Sequence, residues 1–173
     1  GRTTYWQACI LDALDNFKNN KYKNALSRIN MAREWPENLG VGKPYNTDER
    51  IEDYLESLYW QKKNNAVKAN TLEEKVIAAT IKANHPTSSD FLGAVLLKKE
   101  GRENEAKTLL EKRLNDNPNS LIAAWNVARF SGNNTEANRL IHELEIKSGG
   151  SFFNPRFSDS GFALILNISK LNE

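Results

Sequence analysis

Apolar residues recur at steps of three and four positions along almost the whole of this 173-residue chain. This spacing places apolar side chains on one face of an α-helix, whereas a half-buried strand alternates at every second residue. No sustained two-residue alternation occurs, so the pattern predicts an all-α fold. The first stripe contains Tyr5, Trp6, Cys9, Ile10, Ala13, Leu14 and Phe17, and the second runs from Tyr22 to Ala32.

Helix-breaking residues divide these stripes into about four predicted helical hairpins. Pro36, Pro86 and Pro118 close the first three, because proline cannot occupy a helix interior and restricts the residue before it. The pair Gly149-Gly150 closes the fourth. We expect a repeat array over residues 1–150, with hairpins at about 5–36, 47–85, 88–117 and 119–148.

The remaining segment, 151–173, is expected to pack at the end of the array. Its apolar stretch from Phe162 to Leu171 favours a last helix that starts near Ser158 or Ser160, with a strand-like insert as the alternative.

Capping patterns mark two helix starts inside the second hairpin. Asn46 or Thr47 is expected to cap the first of these helices. Asn46 is followed by Glu49, and Thr71 is followed by Glu74, each at the spacing of a capping box. We therefore expect a helix to begin at Thr71, and residues 64–70 are either an extension of the previous helix or a connection.

Three predicted turns between helices share one pattern. Asn20, Gly101 and Gly132 each stand five residues before an alanine, which is Ala25, Ala106 or Ala137. Glycine and then asparagine best tolerate the left-handed conformation that ends a helix. The alanine lets two antiparallel helices approach closely.

On these turns the chain resembles the tetratricopeptide repeat family, whose units of about 34 residues pair two helices with a glycine at the turn. The resemblance covers about residues 5–148, and Trp125 stands where Ala13 and Ala94 supply a small residue in other units. It implies a right-handed α-α superhelix with a concave binding face.

A narrower resemblance rests on the stretch from Trp35 to Pro44, with Gly101-Arg102 and Glu105-Ala106. These residues look like the C-terminal repeat region of large bacterial proteins that carry a domain of unknown function ahead of the repeats. That resemblance implies a carbohydrate-related role and assigns no catalytic residue. The chain begins with Gly1, and we expect it to be a piece of a larger bacterial protein, either cytoplasmic or exported.

Composition excludes several function classes. Twenty-four Lys and Arg against 22 Asp and Glu leave a net charge of +2, without the concentrated positive field that nucleic-acid binding requires. The longest apolar run, Phe162 to Leu166, is far shorter than a membrane span. One cysteine and two distant histidines do not make a usual zinc site, so we expect no metal.

The sequence patterns that could indicate catalysis or cofactor binding each have a simpler structural explanation. Gly40 to Lys43 imitates part of a phosphate-binding loop, but Glu37 and Pro44 stand where that motif needs glycine and serine or threonine. Cys9 lies in an apolar stripe and is expected to be a buried core thiol. Carboxylate pairs at helical spacing, Asp12 with Asp15 and Glu49 with Glu52 or Asp53, are expected on solvated helix faces. We predict no catalytic residue and no cofactor.

Four residues form the candidate binding site: Tyr45, Arg50, Tyr54 and Trp60. Aromatic rings beside polar groups suit a peptide groove or a sugar-stacking platform. Packing of one repeat on the next is the alternative explanation for the same residues.

These observations favour a non-catalytic protein-interaction or assembly module. Its partner would be a protein or peptide, another domain of the same chain included. The first alternative is a carbohydrate-binding or carbohydrate-processing accessory module that uses exposed aromatic rings. The second is an all-helical hydrolase that uses the carboxylate pairs.

Overall fold

The computed structural model describes residues 1–35 and 42–171, and in these residues the chain forms nine α-helices and no strand. The predicted all-α class is confirmed. Pro36 and the glycine-rich stretch at Gly40 and Val41 lie outside the described residues. In chain order the helices are α1 (Arg2–Lys18), α2 (Tyr22–Arg33), α3 (Arg50–Lys62), α4 (Ala66–Lys82), α5 (Ser89–Lys99), α6 (Glu103–Asp116), α7 (Leu121–Phe130), α8 (Asn134–Lys147) and α9 (Phe162–Ser169).

The same tight turn joins α1 to α2, α3 to α4, α5 to α6 and α7 to α8. Its central residue has a positive φ in each case: Asn20 (58°), Asn64 (55°), Gly101 (82°) and Gly132 (77°). The three turns predicted from the sequence are confirmed, and Asn64 provides a fourth that the sequence analysis missed.

Hydrogen bonds show why this turn recurs. At the third turn the Gly101 amide donates to the Lys98 carbonyl at 3.0 Å, and the Arg102 amide donates to the Leu97 carbonyl at 2.8 Å. The other three turns repeat both bonds. This is the Schellman motif, which satisfies carbonyl groups that a helix end otherwise leaves free.

A buried alanine follows each turn, five residues after its central residue. The four are Ala25, Ala69, Ala106 and Ala137, and none is more than 2% exposed. Protein interiors are close-packed, so a larger side chain here would push the second helix of the pair outward.

The start of α4 differs from the prediction. The helix begins at Ala66, so Thr71 lies inside it, and the Thr71 hydroxyl donates to the Val67 carbonyl at 2.9 Å. Such a bond to the preceding turn is typical of threonine within a helix. Asn65 acts as the cap, because its Oδ1 accepts the Lys68 amide at 3.1 Å. The helix start predicted at Thr71 is therefore wrong.

Two other helix starts can be compared with the sequence. Helix α3 begins at Arg50 with Glu49 at its N-cap position, so the cap expected at Asn46 or Thr47 is wrong. Asp48 Oδ1 accepts the Arg50 amide at 3.1 Å. The helix expected in the C-terminal segment is present as α9, which begins at Phe162, two residues after Ser160.

The chain divides into two compact units, with boundaries inside α4 and inside α9. The first unit contains residues 1–75 and the end of the chain from Leu166. In it α2 packs against both α1 and α3. Cys9 is buried in this core, as predicted. The other core residues of these three helices include Ile10, Ala13, Leu14, Ile29, Ile51 and Leu55.

The second unit, Val76–Ile165, is built around aromatic contacts. Phe91 of α5 and Trp125 of α7 have ring centroids 5.3 Å apart, and Trp125 meets Phe162 of α9 edge-on at 5.1 Å. Phe152, from the stretch before α9, also packs on Phe162, with ring centroids 4.9 Å apart. The C-terminal segment thus contributes to the core of this unit, and Trp125 fills its position as a fully buried side chain.

A carboxylate holds the start of α5. Asp159 accepts hydrogen bonds from the Ser88 amide at 2.8 Å and the Ser88 hydroxyl at 3.0 Å. Burial raises the pKa of Asp159 even though these two bonds oppose the shift. The interaction caps a helix with a residue from a distant part of the chain.

In the part of the chain described here, no helix is both long and apolar enough to cross a membrane.

Candidate functional site

The four residues predicted to bind a partner lie in different environments. Tyr45 is 100% exposed, so it packs against none of the other three. Arg50 and Tyr54 are each 5% exposed and lie one turn apart on α3. The Arg50 guanidinium binds Asp48 through Nε at 3.0 Å and Nη2 at 2.9 Å. Burial leaves Arg50 and Tyr54 little surface for a ligand.

Trp60 keeps part of its surface, and its polar and aromatic groups already have partners. Its Nε1 donates to Glu56 at 2.9 Å, and the Lys68 ammonium lies 4.1 Å from the ring centroid. Cation–π contacts of this kind cover one face of the ring. The four residues therefore do not form one aromatic platform.

A cluster of carboxylates on α3 and directly before it surrounds Arg33 of α2. Arg33 pairs with Asp53 at 2.8 Å, with Glu56 at 2.7 Å and with Glu49 at 3.8 Å. The solvated helix face expected for Glu49 and Asp53 is therefore a contact between two helices. These charges hold α2 against α3.

Glu52 belongs to the same cluster and is only 1% exposed. It accepts a hydrogen bond from Trp6 Nε1 of α1 at 3.1 Å. Burial raises the pKa of Glu52 to about 7, with a smaller contribution from Glu49, while the Trp6 bond and Arg33 oppose the shift. Glu52 is thus buried rather than on the solvated helix face predicted from the sequence, because the spacing of charges on α3 does not show which face the other helices cover.

The remaining predicted carboxylate pair is also not arranged for acid–base work. Asp12 forms an ion pair with Arg28 at 2.7 Å, and Asp15 is exposed. Among the residues described, no cluster of three or more His, Cys, Asp or Glu side chains is placed to hold a metal ion.

A groove of about 640 Å³ lies in the second unit, between the end of α4 and one face of α6. The α4 side contributes Ile81, together with Ala83 and Asn84 directly after the helix. The α6 side runs from Asn104 to Asn117 and includes residues at helical spacing. We call this the α4–α6 groove; its volume lies in the range of typical ligand sites.

The apolar part of the groove is formed by Ile81, Ala83 and Leu109. Ile81 belongs to the apolar stripe that predicted α4, and the stripe would place it in the core. Instead it is 48% exposed, because it opens onto the groove. An exposed β-branched residue beside a half-buried leucine gives this surface an apolar contact area.

Arg113 fixes the two sides of the groove relative to each other. It extends from α6, donates through Nη2 to the Thr80 carbonyl of α4, and forms an ion pair with Asp90 of α5 at 2.9 Å. Asp90 is 0% exposed. An ion pair with such a buried partner is costly to break, because the remaining charge would stay buried alone.

A close contact between α4 and α5 supports the same geometry. An added Cβ on Gly93 of α5 would lie 2.1 Å from Thr80 Oγ1 and 2.5 Å from Thr80 Cβ. Only glycine allows the two helices this approach. Thr80 thus accepts a hydrogen bond from Arg113 through its carbonyl and packs its side chain against Gly93.

The groove was not predicted from the sequence, because α4 and α6 are not consecutive helices. A signal for the correct start of α4 was nevertheless present. Asn64 stands five residues before Ala69, which is the spacing that marked the other three turns.

Comparisons with known proteins give no relative for this chain: no family model, no curated protein and no solved structure matches it significantly.

Proposed function

We propose that this chain is a non-catalytic, tetratricopeptide-like interaction module that binds a segment of a protein partner in the α4–α6 groove. The observation that carries the proposal is the groove itself, which has apolar and polar lining residues and a volume of about 640 Å³. The buried Arg113–Asp90 pair keeps it preformed. A preformed site avoids part of the entropy cost of binding.

The repeated architecture supports the same proposal. Four helix pairs share one turn and one buried alanine, which is the pattern of a repeat array. Arrays of this kind offer long surfaces for partner chains. In this proposal the pairs stack as a right-handed superhelix in a larger bacterial protein.

The two alternative functions receive less support. A sugar-stacking platform needs several free aromatic faces side by side, whereas Tyr54 is buried, Lys68 lies over the ring of Trp60, and only Tyr45 of the predicted aromatic residues is fully exposed. A hydrolase needs two carboxylates at an open cleft, whereas Arg33 already pairs with Glu49 and Asp53.

The test is to pan a displayed library of protein fragments against the whole chain and to measure the selected fragments by titration calorimetry. We expect Ile81→Asp to weaken a groove-binding fragment by about tenfold or more, since a carboxylate replaces the apolar contact. Val67→Asp is the matched control, because Val67 is an exposed β-branched residue of the same helix that does not line the groove. If no fragment distinguishes the two variants, the proposed function is wrong.

A further inference from the structure

We infer that the α4–α6 groove selects an extended, uncharged segment of the partner chain and binds its backbone through Asn84, Asn104 and Thr108. The inference rests on the proposed function and adds the chemical class of the ligand. It follows from three properties of the residues that line the groove: their charges, their apolar side chains and their amide and hydroxyl groups.

The charged residues of the groove are paired within the protein. Arg102 binds Glu105 at 2.7 Å, and this bond lowers the pKa of Glu105, so the pair stays ionised. Lys112 binds Asp116 at 2.7 Å. Together with the Arg113–Asp90 pair, the two acidic and two basic residues that line the groove leave it without net charge. A charged ligand would have to compete with these ion pairs, whereas an uncharged one leaves them in place.

Unlike the charged residues, the uncharged polar side chains of the groove are not all paired within the protein. The Asn104 amide and the Thr108 hydroxyl have no hydrogen-bond partner among the described residues, and Asn84 uses only its Oδ1, which contacts His85 Nδ1 at 2.9 Å. An amide side chain offers both donors and acceptors, which is what the peptide backbone also offers.

A helical ligand satisfies its backbone groups internally, so its backbone would leave these side chains without a new hydrogen bond. Covering a polar group without a new hydrogen bond costs free energy. An extended segment presents free N–H and C=O groups along its length, and its side chains alternate in direction. In our inference one apolar side chain of the ligand contacts Ile81 and Leu109, and the adjoining backbone bonds to Asn104 and Thr108, which line the same groove.

The experiment uses the fragments selected against the whole chain that depend on Ile81. Their affinity is measured for Asn104→Ala and for the matched control Asn115→Ala, an exposed asparagine of the same helix that does not line the groove. We expect Asn104→Ala to weaken binding about fivefold and Asn115→Ala to leave it unchanged. Raising the salt concentration should change the affinity less than about twofold, because no ion pair forms on binding.

The conformation of the bound segment completes the test. A carbon-13-labelled peptide with the selected sequence should show extended Cα chemical shifts in the complex. Helical shifts, or an affinity that falls steeply with salt, overturn the inference while the proposed function stands. The absence of any fragment that depends on Ile81 overturns both.

Discussion

The buried carboxyl of Glu52 makes the stability of this protein depend on pH near neutrality. Its folded-state pKa is about 7, raised from an ordinary value of 4.5. The unfolded chain therefore loses this proton more readily than the folded protein does. The stabilising contribution is complete below about pH 4.5, falls as the pH rises and is lost above about pH 7.

The size of the effect follows from the two pKa values. At 1.36 kcal/mol for each pKa unit, a difference of about 2.5 corresponds to about 3 kcal/mol, most of which is lost between about pH 5 and about pH 8. Glu52→Gln keeps an oxygen that can accept the Trp6 Nε1 hydrogen bond and has no proton to lose. We expect this variant to be more stable than the wild type at about pH 8 by about 2 to 3 kcal/mol, with a smaller difference at about pH 5.

Urea unfolding followed by tryptophan fluorescence at several pH values measures this difference. Glu74→Gln is the matched control, because it makes the same change at an exposed position of the same unit and should alter stability by less than about 0.5 kcal/mol. If the difference between Glu52→Gln and the wild type were the same at both pH values, the argument from burial would be refuted.

Three further substitutions test the packing of the second unit, each by urea unfolding. Gly93→Ala should destabilise the protein by about 1 to 3 kcal/mol, because its new methyl group overlaps Thr80; wild-type stability would show that the helices can separate at no cost. Ser88→Ala should cost about 1 kcal/mol, since Asp159 loses its hydroxyl donor, and an unchanged midpoint would contradict a capping role. Phe162→Ala should cost about 3 to 5 kcal/mol because the ring is 0% exposed, and a loss below about 1 kcal/mol would place it outside the core.

The helical class and three of the four turns were predictable because local rules decide them. A left-handed residue followed by a small one leaves a signal within six residues of sequence, as at Gly101 and Ala106. The same signal at Asn64 went unrecognised because Thr71 with Glu74 also matched a helix start. In the structure the Thr71 hydroxyl donates to a carbonyl within α4, and Asn65, directly after Asn64, caps the helix.

The candidate site was not predictable to the same degree. Aromatic residues near one another in sequence suggested a common surface, but the packing of α3 against α2 decides which residues of α3 are covered, and Tyr54 is buried. The groove depends on α4 and α6 meeting through Arg113 and Thr80, residues from two helices separated by a third. Sequence spacing within one helix carries no information on such a contact.

The repeated turn also bears on how a chain of this kind can change its length. The intervals between Asn20, Asn64, Gly101 and Gly132 shorten along the sequence, although the turn geometry at these positions is the same. An insertion inside a turn would break both of its hydrogen bonds, whereas one between consecutive hairpins leaves them intact. Natural variants of unequal length should therefore differ between the hairpins rather than within a hairpin. An inserted epitope tag should likewise be tolerated between hairpins, for example next to the exposed Tyr45.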